Sequence, residues 1–240
     1  MRIESQPAYI LHTRNYRDTS LIVDFLTVDF GRVSGVIKGA RSQSKSAKQR
    51  RALVQPFNPL LVSWMGNSEL KTITQYEAKV ASIPLQGVRL FSGLYLNELI
   101  TRLLQPYDEH AALYTLYEWA LHSLSREPLI DVVLRHFELQ LLDHLGYGVP
   151  LTVASDSGEA ICPGQDYYYT PDQGFTALLL PVGRHHPTVL PTMIYRGEDL
   201  LAIARGEFTE HTRRVAKLLC RSALRPYLGA KPLKSRELFV

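Results

Sequence analysis

The sequence predicts an α+β chain: a small closed barrel of five short strands, then a helical region carrying an irregular insert. Three observations carry this. The first 80 residues alternate in β-branched, aromatic and polar side chains between turn signals, helical periodicity takes over near Pro84, and it lapses again between about 150 and 196.

The strand segments are 9–11, 21–26, 33–37, 60–65 and 70–76, parted by Asp29-Phe30-Gly31, Pro56, Pro59 and Gly66-Asn67. Five strands in so short a span call for closure into a barrel, which removes the open edges. Val33 and Ile37 alternate with Ser34 and Lys38, and Lys71, Ile73 and Gln75 alternate with Leu70, Thr72 and Thr74, so each strand has a packed face and a wet one. The expected units are a barrel domain over 1–80 and a helical domain over 81–240.

In the helical region, Leu90, Phe91, Leu94, Tyr95, Leu99, Ile100, Leu103 and Leu104 recur at helical spacing, and Pro106 closes the segment. A second helix is expected over 111–124. A third follows Pro128, with Ile130, Val133, Leu134, Phe137, Leu141 and Leu145 on one face and Gly146 as its C-terminal cap. The insert, with Tyr167-Tyr168-Tyr169, Asp172-Gln173-Gly174 and His185-His186-Pro187, reads as irregular with a short hairpin. Helices return over 198–204 and 210–224, where Val215, Leu218, Leu219 and Ser222 line one side, before Pro226 and Gly229.

The 240 residues are 45% hydrophobic and 21% charged, as in an ordered globular chain. No run approaches the roughly 20 apolar residues that span a bilayer, and the N-terminus lacks the apolar centre of a signal peptide, so a cytoplasmic chain without membrane partners is expected. Two cysteines, Cys162 and Cys220, build no disulfide framework. Net charge is +4, unevenly spread: +6 over residues 1–80, −6 over 81–160 and +4 over 161–240. Different segments are therefore expected to meet different partners.

The basic ends supply the binding candidates. Residues 38–51, KGARSQSKSAKQRR, carry Lys38, Arg41, Lys45, Lys48, Arg50 and Arg51 without one acidic residue, and read as a mobile loop after the third strand. Such a run either keeps a surface solvated or meets phosphates. Arg14, Arg17, Arg32 and Lys71 add charge on the same barrel, and Tyr9, Tyr16, Trp64 and Tyr76 offer rings for base stacking, with Trp64 expected mostly in the core. In the last helix Arg214, Lys217, Arg221 and Arg225 share one face, suited to nucleic acid or to an acidic peptide.

Catalytic and metal motifs are missing. There is no phosphate-binding glycine loop, nucleophile elbow or HExxH, so no enzyme is expected. Asp108-Glu109 and Glu198-Asp199 read as helix N-terminal charges rather than a nuclease centre. Cys162 has no partner at ligand spacing and His185 and His186 are adjacent, so neither a metal nor another cofactor is expected.

Six ordered segments then point to a family: AYILHTRNYRDTSLIVDFLT (8–27), GRVSGVIKGARS (31–42), LVQPFNPLLVSWMGNSELKTIT (53–74), FSGLYLNELITRLL (91–104), RHFELQLLDHLGYGVPL (135–151) and RPYLGAKPLKSREL (225–238). The chain resembles the bacterial recombination mediator and DNA repair family RecO, most weakly over 106–130 and 155–210. The resemblance implies an N-terminal OB-fold and a helical bundle. It also implies a third region that in many members carries a four-cysteine zinc site, of which only Cys162 remains here. It further implies binding rather than catalysis: single- and double-stranded DNA, annealing of complementary strands, and work with RecR, and in some pathways RecF, to load RecA onto DNA coated by single-stranded DNA-binding protein (SSB). The acidic tail of SSB requires an apolar pocket beside a cation. The family-like segment 135–151 supplies Arg135, His136, Leu139 and Leu142 for it; the alternative is ordinary bundle core with a surface arginine.

Overall fold

A computed structural model describes residues 1–178 and 193–239. They fall into two compact units, residues 1–133 with 230–240 and residues 134–229. Contacts therefore group the first helices with the barrel, across the domain boundary expected at residue 80.

The first unit is built on five strands: β1 (Arg2–Tyr16), β2 (Ser20–Thr27), β3 (Gly31–Ile37), β4 (Pro59–Met65) and β5 (Leu70–Ala78). They close in the order β1-β2-β3-β5-β4. Every pair is antiparallel except β3 with β5, where Ser34 faces Leu70 and Val36 faces Thr72. That closure with one parallel pair is the OB-fold. Inward-pointing Ile10, Val23, Phe25, Val33, Leu60, Val62 and Trp64 fill the barrel, and Trp64 is 2% exposed, as its sequence position predicts.

Residues 38–51 correct one expectation. The second half of the basic window is not a loop but a helix, α1 (Lys45–Leu53). Ser44 caps it by accepting from the Ala47 amide at 3.2 Å, and the Asn58 side chain donates to the Leu53 carbonyl at 3.1 Å at the other end. Lys, Arg, Gln and Ala are good helix formers, and the segment contains neither Gly nor Pro. Ala47 and Val54, seven residues apart, are buried, and Val54 with the partly buried Leu53 packs into the barrel core.

Helices α2 (Val88–Leu103) and α3 (Ala111–Arg126) complete this unit. Asn97 of α2 donates its amide to the carbonyls of Ile10 and Leu11, at 3.3 and 2.9 Å, where β1 slips register against β2. Tyr117 of α3 donates to the same Asn97 through its hydroxyl at 2.5 Å. Asp108 and Glu109 precede α3 instead of occupying its first turn, which holds no acidic residue. The Asp108 carbonyl instead lies against Gly31, where a Cβ would come within 1.8 Å of that oxygen; Gly31 also has φ +57.

The C-terminal segment returns to α2. Glu98 accepts from the Lys234 and Ser235 amides at 3.0 and 2.9 Å and from the Ser235 hydroxyl at 2.7 Å, while Arg102 donates to the Pro232 carbonyl at 2.7 Å. Burial alone would raise the Glu98 pKa. The Ser235 and Lys234 donors and the Arg102 charge outweigh it and hold the carboxyl below its usual range. A depressed folded-state pKa means that this stabilisation is present above the unfolded value and is lost as pH falls through the folded one. Hydrogen exchange at the Lys234 and Ser235 amides is accordingly expected to accelerate, relative to the barrel amides, on acidification through the carboxylate range, and Glu98→Gln should show that acceleration already at pH 7.

The second unit holds the body of α4 (Ile130–His144), a three-stranded sheet and two helices. The sheet extends the expected hairpin: β6 (Asp166–Thr170) and β7 (Gly174–Ala177) pair as that hairpin, and β8 (Ile194–Arg196) adds to the free edge of β6. Helix α5 (Gly197–Ala204) carries Glu198 and Asp199 in its first turn, and α6 (Glu210–Leu224) opens with a reciprocal Thr209–Thr212 cap. Tyr167, Phe175, Tyr195, Ile161, Leu200 and Leu219 form the core here. Three residues of that core are aromatic and belong to the insert or its returning strand, so packing supplies what a zinc site would otherwise have to hold. Among the described residues no group of three or more His, Cys, Asp or Glu is arranged to hold a metal; His185 and His186 lie outside them. Cys162 is exposed and Cys220 buried, both as free thiols.

Candidate nucleic-acid interface

The cations of the barrel divide into two sets. Arg14 and Arg17 sit on the β1–β2 hairpin, and the connection after β3 is drawn against that hairpin. The Arg41 amide donates to the Thr19 carbonyl at 2.7 Å, and its guanidinium donates to the Arg17 carbonyl at 3.2 Å. Lys38 follows the end of β3 on the same side, and α1 comes next with Lys45, Lys48, Arg50 and Arg51 exposed. Arg50 lies close enough to Tyr76 to oppose the rise that burial imposes on that phenol. Hairpin, connection and helix thus present eight cations, Arg41 partly buried and the other seven exposed.

Arg32 and Lys71 are used differently. Arg32 opens β3, about 20 Å along the strand from Lys38, and its Nε donates to the Leu104 carbonyl at 3.0 Å. Lys71 is 7% exposed, with Nζ 4.7 Å from the centre of the Tyr107 ring. It shares the inward face with Ile73, so the alternation that marked β5 as a strand also turned this lysine in. A cation against an aromatic face is partly compensated for lost water, but Lys71 offers no open charge to a phosphate.

The aromatic rings divide likewise. Tyr9 is 1% exposed, donates to Glu118 at 2.9 Å and packs edge-on against Tyr117, and Trp64 is core. Tyr16, beneath the Arg17 guanidinium at 5.1 Å, and the partly exposed Tyr76 remain at the surface. The sequence set Trp64 apart for the core but had no means to set Tyr9 apart, since only the helices packed on β1 decide that Tyr9 is covered.

In the second unit Arg214, Lys217 and Arg221 are exposed along α6, with Arg214 paired to Glu210. On α4, Leu142 is fully buried, Leu139 partly so, and His136 is exposed. Desolvation lowers the His136 pKa, which favours the neutral ring. Arg135 is 7% exposed and its guanidinium contacts Glu138 at 2.8 Å. A carboxylate arriving there would have to share that cation with Glu138.

With an OB-fold and a cationic rim established, the comparisons with known proteins decide the family. The model of the recombination protein O N-terminal domain matches residues 1–80, and that of the C-terminal domain matches residues 84–237. The chain belongs to the recombination protein O family. It is 46% identical over 240 residues to the DNA repair protein RecO of Cellvibrio japonicus, covering 100% of this chain and 98% of that one. The RecO of Haemophilus influenzae strain 86-028NP is 42% identical over 240 residues, with 100% and 97% covered. That of Aliivibrio salmonicida is 40% identical over 236 residues, with 98% and 94% covered. A role in DNA repair follows from membership, and the RecO resemblance read from the six segments is borne out over the whole chain. No helix among the described residues is long and apolar enough to cross a membrane.

Proposed function

We propose that the chain is a cytoplasmic, nucleoid-associated recombination mediator that works by binding and catalyses nothing. It holds single- and double-stranded DNA through the α1 rim, anneals complementary strands and, with RecR, loads RecA onto SSB-coated DNA; RecF is the remaining candidate partner. The observation that carries this reading is the exposure of seven cations from one hairpin, the connection after β3 and the adjoining helix of an OB barrel. Such a rim neutralises two backbones at once, which removes the repulsion between approaching complements. The SSB tail is assigned to α4, with Leu139 and His136 at the surface and Arg135 and Leu142 beneath them.

Annealing of complementary strands precoated with SSB tests both activities together. Acceleration with intact SSB, lost when the SSB tail is deleted, is the expected outcome; no acceleration with either SSB would overturn the reading. A second reading, a protein-interaction adaptor with incidental DNA contact, is favoured by one observation. Tyr9 is covered by α3 and Trp64 is turned inward, leaving the barrel few stacking faces.

A further inference from the structure

A concave site in the second unit remains outside the interface described above. It is a cavity of about 360 Å³ bordered by the turn after α4, the β6–β7 turn and the chain after α6. Three tyrosines, Tyr147, Tyr169 and Tyr227, line it, and two of them form a stacked wall. Tyr147 and Tyr227 are stacked with centroids 3.9 Å apart and planes 19° from parallel. Each is fixed by the end of a helix: the Tyr147 amide donates to the Leu142 carbonyl at 2.8 Å, beside Gly146 with φ +81, and the Tyr227 amide donates to the Leu224 carbonyl at 3.2 Å. The Tyr227 hydroxyl donates to Asp172 at the tip of the β6–β7 turn, which locks the inner ring against the sheet. Tyr147 is 44% exposed, so the stack is open on its outer side.

We infer that this site takes one unstacked base of a DNA single strand. A third planar ring extends a stack whose two members are already immobilised, so little ordering cost remains for it. Beside Tyr169, Pro150 and glycines, the wall carries polar groups of both kinds: the Asp172 carboxylate accepts, the Gln173 amide donates and accepts, and the Ser155 hydroxyl does either. A base edge presents the same mixture of donors and acceptors, whereas a lipid tail or an apolar peptide does not. Charge selects between a base and the remaining planar candidate, a guanidinium from a basic protein. The α6 stripe of Arg214, Lys217, Arg221 and Arg225 is exposed and ends two residues before Tyr227, with about 6 Å of helix rise between cations four apart. It repels a basic peptide and draws a phosphate backbone toward the tyrosines. The inference rests on the DNA-binding reading above and adds to it a contact that discriminates single strand from duplex, because a paired base cannot enter the stack.

The test uses the full chain and a short oligonucleotide carrying one 2-aminopurine, whose fluorescence falls on stacking, together with a duplex of the same length. Tyr147→Ala is expected to weaken single-strand binding about tenfold and to abolish the quenching, with duplex affinity unchanged within about twofold; Tyr147→Trp should restore both. Equal single-strand affinity and quenching in wild type and Tyr147→Ala, with melting temperatures matched, would overturn the site while leaving DNA binding by the barrel standing. Failure of the wild-type chain to bind either oligonucleotide would remove the DNA reading and the site with it.

Discussion

Replacing Lys45, Lys48, Arg50 and Arg51 by Glu is expected to lower DNA affinity by two orders of magnitude or more near 0.1 M salt. The reasoning follows the ions. Each phosphate neutralised releases condensed counterions and contributes about 0.9 to the slope of log K against log salt on duplex, and about 0.7 on a single strand. About five contacts on the rim give a slope near −4 to −5 on duplex, and removing four of them should leave it near −1. The four side chains are exposed, so their charge is spent in neither folding nor a buried pair. Glu at positions 50 and 51 would stand at the negative end of the α1 dipole and fray the helix by a few tenths of a kcal/mol each. Gln at all four positions separates charge from helix stability, being as good a helix former as Lys. The Gln variant should keep its helicity and still lose most of the slope. Titrations from 0.05 to 0.2 M salt read both quantities. The adaptor reading expects unchanged DNA binding and a lost protein partner, so an unchanged slope in the Gln variant would favour it.

How much of this interface was legible in the sequence depends on what each residue's role requires. Strand periodicity set Val33 and Ile37 on one face and Lys71 and Ile73 on another, and all four are buried, because an alternating face is a local property. The basic composition of residues 38–51 was equally plain, but the helix within it was not. Its apolar stripe consists of little more than Ala47 and Val54, too thin to stand out against six cations. The capping Ser44 ahead of Ala47 was the available signal. β1 begins at Arg2, well before the expected segment at residue 9, because its outer half is polar and irregular in register and so shows no clean alternation. β8 escaped notice because its three residues join a hairpin partner nearly thirty positions earlier, and no local pattern reports a remote edge. Lys71 shows the limit from the other side: its strand face was readable, whereas the Tyr107 ring that makes an inward lysine tolerable comes from the connection between α2 and α3.

Asn97→Ala is expected to destabilise the chain by about 3–4 kcal/mol and to loosen the barrel where the helices meet it. Asn97 is 3% exposed, next to the buried Leu96, Leu99 and Ile100, and such a polar residue persists in a core only when it answers polar groups already there. Those groups are the Ile10 and Leu11 carbonyls, set at the register shift that interrupts β1–β2 pairing, and the hydroxyl of the fully buried Tyr117. Burial raises the Tyr117 pKa well above its ordinary value, so its hydroxyl stays protonated and must donate. Truncation to Ala strands the hydroxyl and both carbonyls, at about 1–3 kcal/mol for each group that water cannot reach, and leaves a void of a few atoms besides. Asn97→Asp tests the bonding pattern at nearly constant volume: the carboxylate still accepts from Tyr117 but faces the two carbonyls without a donor, so it should cost at least as much. Tyr117→Phe combined with Asn97→Ala should cost less than the sum of the single substitutions, since the stranded hydroxyl is removed with its partner. Denaturant melts of the three variants and the wild type close this cycle. Strict additivity would mean that Asn97 and Tyr117 do not act as a unit.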